Sequence, residues 1–169
     1  MLRLYVMRHA KSSWAVPGAR DFDRELNDRG ISDCLKIGKS LSSKGYSPDL
    51  ILCSSATRTR ETLDNILDYL DPEPEIRLTE KLYSSGLSDY IELLQELGEH
   101  PSVMIIGHNP MCGSLAASMP GSGNEESIAA IAYKYPTATV SVIDFDFANW
   151  SEIQQRSGIM IEALIPSQL

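Results

Sequence analysis

The chain has 169 residues, 43% of them hydrophobic, with a net charge of −8 and three cysteines. That length suits one domain with a sizeable core, and the acidic balance argues against nucleic acid or an anionic membrane surface as a partner. No apolar run approaches the length that crosses a bilayer, and Cys34, Cys53 and Cys112 are too scattered for a disulfide set or a zinc site. The chain is strand-like from its first residues, so no signal peptide is expected, and free thiols fit a reducing cytoplasm.

In chain order, Leu4-Tyr5-Val6-Met7 reads as a short buried strand that runs straight into Arg8-His9. Arg3, Arg8 and Lys11 fall in the first eleven residues with no acid among them. An acidic protein that binds an anion must gather positive charge in one pocket, and this segment is a candidate for part of it. Residues 12–25 are irregular, marked by Pro17-Gly18 and alternating charges. Asn27 is placed as a helix N-cap, with Ile31, Cys34, Leu35, Gly38 and Leu41 as the inward stripe and Gly45 as the stop. Asp49-Leu50-Ile51-Leu52-Cys53 is a second buried strand. It leads through Ser54 to Arg58 into a helix carried by Leu63, Ile66, Leu67 and Leu70 and stopped at Asp71-Pro72.

Glu75-Ile76-Arg77-Leu78 is a weak third strand, followed by Thr79-Glu80-Lys81-Leu82-Tyr83. Ser88 is placed to cap a helix with Ile91, Leu94 and Leu97 inward. Ser102-Val103-Met104-Ile105-Ile106-Gly107 is the strongest strand signal and delivers His108. Asn109 as N-cap with Pro110 behind it suits a helix start, with Met111, Leu115 and Met119 on the inner face. After Gly121-Ser122-Gly123 the pattern changes, and residues 137–147 and 159–165 read as two strands with no helix between them. The expected fold is a single α/β domain over residues 1–169. It is a three-layer sandwich whose mostly parallel sheet has helices on both faces and an antiparallel pair at its edge.

In a parallel sheet the strand ends share one edge, which is where open α/β sheets hold ligands. Arg8-His9, the segment from Ser54 to Arg58, and His108 all lie at such ends. Each alone has a bland reading: a surface turn, a solvated helix residue, a satisfied histidine. Together they supply two imidazoles and two guanidiniums, with His108 just before a helix N-terminus. A neutral imidazole can attack phosphorus, and guanidiniums can hold the oxygens of a phosphoryl group through its transition state. Arg60 and His100 read as surface groups. No metal-ligand spacing and no carboxylate cluster for Mg²⁺ are present, so neither metal nor cofactor is expected.

These residues also carry a resemblance. Met7-Arg8-His9-Ala10-Lys11, with Trp14 following, resembles the Arg-His-Gly motif of the histidine phosphatase superfamily, which includes the cofactor-dependent phosphoglycerate mutases. Leu26-Asn27-Asp28-Arg29-Gly30 is similar to its Leu-Thr-x-x-Gly segment, and Cys53 to Thr62 to its Ser-Pro-x-x-Arg-x-x-x-Thr segment. Gly107-His108-Asn109-Pro110 looks like the segment bearing its second histidine. The four motifs occur in order over about residues 2–115. The short length and the Asp21-x-x-Arg24-x-Leu26 lead-in look most like the SixA branch of phosphohistidine phosphatases.

The resemblance implies a phosphoglycerate mutase-like fold and His9 as the nucleophile that becomes phosphorylated. It implies a phosphate pocket of Arg8, Arg58 and His108, with Arg24 as a further contact. Glu80 sits where the mutases carry their proton-donating glutamate. The partner is then a phosphorylated protein such as a phosphotransfer domain, or a small phosphorylated molecule. Ala10 and Ser55 stand where the family has glycine and proline; neither change touches a charged group. A cysteine phosphatase needs Cys-x5-Arg, but four residues separate Cys53 from Arg58 and six separate it from Arg60. A P-loop enzyme lacks its Gly-x4-Gly-Lys. A non-catalytic phospho-ligand module would keep Arg8 and Arg58 but would not need His9. Between Glu80 and His108 lie residues 81–107, 27 in number. So short a segment leaves little to close over the pocket, which favours a phosphoryl group displayed on a protein surface.

Overall fold

Apolar runs that pair on both sides, with amphipathic helices between them, give one seven-stranded sheet with helices on both faces. The coordinates are a computed structural model describing residues 1–14 and 16–169. The strands are β1 (Leu2–Arg8), β2 (Leu50–Ser54), β3 (Glu75–Thr79), β4 (Ser102–Gly107), β5 (Pro120–Gly123), β6 (Val140–Phe145) and β7 (Gly158–Leu164). They lie in the order β3-β2-β4-β1-β6-β7-β5. Only β6 runs against the rest, antiparallel to both β1 and β7. The helices are α1 (Asp28–Ser43), α2 (Thr57–Leu67), α3 (Lys81–Ser84), α4 (Leu87–Gln95), α5 (Met111–Ser118) and α6 (Glu125–Tyr133).

Strand period decides which side chain enters which layer. Along β1, Leu2, Leu4 and Val6 enter one core with Leu94, Leu115 and Ile131 of α4, α5 and α6. Tyr5 and Met7 enter the other with Ile37 and Leu41 of α1 and Ile66 of α2. Both faces are covered, so the strand reads as a continuous apolar run. Each fully buried aliphatic side chain of this kind contributes about 1.5–3 kcal/mol.

Five expectations change. In α1, the Asn27 Oδ1 accepts the Gly30 N–H at 2.9 Å and fixes the start as expected. The inward stripe, however, is Gly30, Asp33, Cys34, Ile37, Gly38 and Leu41, while Ile31 and Leu35 are each 40% exposed. Gly30 and Gly38 are the reason. A Cβ at Gly30 would overlap the Lys11 carbonyl and one at Gly38 the Tyr69 ring, so the helix rests on its glycine side and turns Ile31 and Leu35 outward. α4 is capped by Gly86, whose N–H donates to the Asp89 carboxylate at 3.0 Å, and Ser88 lies inside the helix.

The third change concerns α5, which starts at Met111 with Pro110 at the cap; Asn109 instead accepts the Gly113 N–H at 3.1 Å. The fourth is that β5 and α6 were not expected. β5 is Pro-Gly-Ser-Gly, pairs in parallel with β7, and takes the outer edge of the sheet beyond the antiparallel β6 and β7. α6 had a readable start: Asn124 accepts the Ser127 N–H at 2.8 Å, and Glu125 and Glu126 fill its first turn. His100 is half-buried against Glu75 rather than a surface group, while Arg60 is exposed as expected.

Candidate active site

Register brings the predicted residues together. β1 and β4 are neighbours with Arg8 opposite Gly107, so His9 and His108 leave the sheet side by side. Their ring centroids are 5.3 Å apart. β2 lies beyond β4 with Cys53 opposite Ile106, which delivers Ser54 to the same edge. α2 begins at Thr57, and Arg58 in its first turn reaches back over the strand ends. His9, Arg58 and His108 are buried, at 8%, 6% and 5% exposure.

Each side chain has a defined pose. The His9 Nδ1 lies 2.7 Å from the Ala10 carbonyl, which only accepts, so the proton sits on Nδ1 and Nε2 carries the lone pair. That lone pair faces the Arg58 Nε–H at 3.3 Å. Burial first, then the charges of Arg58 and Arg8 and the disfavoured double protonation of the two rings, holds His9 down at about 3. Burial and Arg58 hold His108 down at about 4. Both rings are therefore neutral at pH 7. The Ser54 Oγ accepts the Ala56 N–H at 3.3 Å and lies 2.8 Å from the His108 Nε2. That contact engages Nε2 with a hydroxyl that carries one hydrogen and two lone pairs, so Ser54 holds the ring in place whichever nitrogen bears the proton. The His108 Nδ1 and the Arg8 Nε are buried without a hydrogen-bond partner among the described residues. Arg8 is held through Nη1, 2.9 Å from the Tyr135 carbonyl, and forms no ion pair among the described residues.

Support comes from neighbouring elements. The Thr62 Oγ1 accepts the Ala10 N–H at 3.0 Å and donates to the Arg58 carbonyl at 2.7 Å, tying the loop after His9 to α2. The Tyr90 hydroxyl donates to the Leu82 carbonyl at 2.6 Å and accepts the His108 N–H at 3.3 Å. Tyr83 stacks edge-on against His108 with centroids 5.4 Å apart.

Three other predicted residues make no hydrogen bond to Arg8, His9, Arg58 or His108 among the described residues. Glu80 is exposed, just past the end of β3, and caps α3 through its backbone. Arg24 has a partner on every nitrogen: Ser13 O at 3.2 Å, Asp21 Oδ1 at 3.0 Å and Ser12 Oγ at 2.6 Å. Its guanidinium also lies 3.2 Å above the Trp14 ring centroid. Lys11 is exposed and contributes its carbonyl to the Asn27 N–H. Two further residues, Asp21 and Tyr135, were not singled out as site groups. Asp21 lay within the lead-in motif, and its contact with Arg58 spans 37 positions.

Among the described residues, no cluster of three or more His, Cys, Asp or Glu is arranged to hold a metal ion. The arrangement can bind a tetrahedral anion with two guanidiniums and an imidazole N–H, and can present a neutral nitrogen nucleophile to it.

A fold of this topology with such a site defines a class, and comparison with known proteins agrees. Residues 4–86 match the model of the histidine phosphatase superfamily (branch 1). A solved structure of a candidate phosphohistidine phosphatase SixA from Agrobacterium tumefaciens is 32% identical and superposes with a TM-score of 0.83 over 98% of each chain. An uncharacterised chloroplastic protein of Arabidopsis thaliana is 32% identical over 166 residues, covering 92% of this chain and 72% of its own. The protein histidine phosphatase SixA complexed with tungstate shares the fold at a TM-score of 0.79 and 19% identity, over 99% of each chain. The chain belongs to the histidine phosphatase superfamily, in its SixA-type branch.

Proposed function

We propose that this chain is a metal-independent phosphohistidine phosphatase that works through a covalent phosphohistidine at His9. The observation that carries the reading is the pose of His9. Its Nδ1 proton is tied to the Ala10 carbonyl, and its Nε2 lone pair faces the Arg58 Nε–H. In the first step Nε2 attacks phosphorus, the P–N bond to the substrate imidazole breaks, and the electron pair leaves with that nitrogen. In the second step water attacks phosphorus, the bond to Nε2 breaks, and orthophosphate departs. Arg8, Arg58 and the His108 imidazole hold the equatorial oxygens through both steps.

A protein-borne substrate is favoured by how residues 81–107 are spent. They form α3, α4 and β4, and Tyr90 and Leu94 of α4 pack into the core with Leu115 and Cys112 of α5. No helix among the described residues is long and apolar enough to cross a membrane, and the reaction is assigned to the cytoplasm.

The test is alkaline quench and mass spectrometry, since acid destroys phosphohistidine. Wild type should yield one phosphoryl adduct at His9, His9→Ala should lose turnover, and EDTA should leave the rate unchanged. Near-normal turnover by His9→Ala overturns the mechanism. The substrate class is read from kcat/KM on a phosphohistidine-bearing protein against 3-phosphoglycerate, sugar phosphates and an aryl phosphate. A hundredfold preference for one small ester, about 2.7 kcal/mol of discrimination, overturns it.

Glu80 favours a second reading, a small-molecule phosphomonoesterase. Its exposed carboxylate follows β3 at the edge that holds the site. An ester oxygen needs a proton as it leaves, whereas a phosphoramidate nitrogen can already carry one. Glu80→Gln is expected to slow ester hydrolysis tenfold or more and phosphoramidate hydrolysis far less. Equal effects on the two substrates remove Glu80 from the acid role.

A further inference from the structure

Asp21 lies in an irregular segment with no role in either core, yet it is the acidic partner of both guanidiniums that flank the site. The Arg58 Nη1 donates to its carbonyl at 2.7 Å and Nη2 to its Oδ2 at 3.1 Å. The same Oδ2 accepts the Tyr83 hydroxyl at 2.7 Å, and Oδ1 accepts the Arg24 Nη1 at 3.0 Å. The short helical turn Asp21–Asp23 buries no residue. It is held by these polar contacts and by Phe22 against the Tyr83 ring, with centroids 5.0 Å apart.

The geometry on Arg58 has a direction. Asp21 takes the two terminal nitrogens, and the Nε edge is the one that faces His9. A guanidinium is a rigid planar fork, so gripping its far end fixes where the near edge points. An unheld arginine carries rotamer entropy that must be lost each time the transition state forms. The Asp21 side chain makes no hydrogen bond to His9, His108 or Arg8, so it stands behind Arg58 rather than in the anion's place. We propose that Asp21 is a positioning residue: it clamps Arg58 so that its Nε edge stays presented to His9, and through Arg24 it fastens the lead-in loop to the same clamp. The hydrogen bonds from Tyr83 and Arg24, with the charge of Arg58, hold its carboxyl down at about 2, so the clamp is charged at neutral pH.

The proposal rests on the phosphoryl reading of the site, and it is tested by a readout that does not need turnover. Inorganic phosphate binding is measured by calorimetry for wild type, Asp21→Ala, Asp21→Asn and Asp23→Ala, alongside kcat on a phosphohistidine peptide and thermal midpoints. Asp23 pairs only with Arg20 on the surface, at 2.8 Å, and is the control. Asp21→Ala should weaken phosphate binding at least tenfold and lower kcat by ten- to a hundredfold. Asp21→Asn, whose amide oxygen can still accept an Arg58 N–H, should recover part of both losses, and Asp23→Ala should match wild type. Tighter phosphate binding by Asp21→Ala would show a plug rather than a clamp and overturn the proposal. So would wild-type affinity and kcat in both Asp21 variants, or Asp21→Asn no better than Asp21→Ala. If Asp21→Ala does not fold, Asp21→Asn decides alone, through a three- to tenfold loss of affinity or none. A wild type that binds phosphate but ignores phosphohistidine refutes the substrate while leaving the Asp21 comparison intact.

Discussion

His9 and His108 show how burial turns an ordinary side chain into a reagent. In water an imidazole is half-charged near pH 6.5. Buried beside two guanidiniums, these two stay neutral down to about 3 and about 4. This has a consequence for stability. Between about pH 4 and 6.5 the unfolded chain takes up protons at both positions and the native one does not, so stability rises with pH across that window and falls on acidification. Urea midpoints measured at pH 7.5 and pH 5 should show the drop. The double variant His9→Asn, His108→Asn should flatten it. An equal drop in the double variant would mean that other groups carry the pH dependence. The two histidines were legible in the sequence because each ends an apolar run. Asp21 was not legible as a site residue, because a carboxylate among alternating charges looks solvated until Arg58 is folded back onto it.

At the scale of elements, the site depends on how closely α1 approaches the loop after β1. Gly30 makes that approach possible, since a Cβ there would overlap the Lys11 carbonyl, two residues beyond His9. Backbone cannot give way as a side-chain tip can. Gly30→Ala is expected to destabilise the fold by about 1–3 kcal/mol and to lower kcat, because relief of the overlap moves the loop that bears the nucleophile. Gly98→Ala, where a Cβ meets nothing within 4 Å, is the comparison. If Gly30→Ala matches Gly98→Ala in urea midpoint and rate, the approach is looser than described. The same closeness explains why the inward stripe of α1 was misread. Helical spacing identified an apolar face, but glycines that admit a neighbour's backbone and ring rotated the buried face away from Ile31 and Leu35.

For the whole molecule, the three thiols report on how firmly the two cores are closed. Cys34, Cys53 and Cys112 are fully buried, and burial pushes each thiol up to about 12. Reaction with a thiol reagent at pH 8 should therefore wait for global unfolding, with all three reacting together in denaturant. Iodoacetamide should leave the native enzyme active. Rapid single-site labelling of Cys53 with loss of activity would reopen the cysteine phosphatase reading that the spacing to Arg58 argues against.

What the sequence determined by itself was the ladder of apolar strands, the polar residues at their ends, and the family those motifs belong to. Each is written locally, in runs of a few residues with one period. Tertiary structure alone decided the partners. It set Arg8 opposite Gly107 so that His9 and His108 stand together, and it gave the sheet edge to a Pro-Gly-Ser-Gly strand with no apolar signal. It also closed Asp21 onto Arg58, Tyr83 and Arg24. The reason is the same in each case. Backbone pairing and ionic contacts between distant segments carry no periodicity, so they become visible only when the chain has brought the two sides within hydrogen-bonding distance.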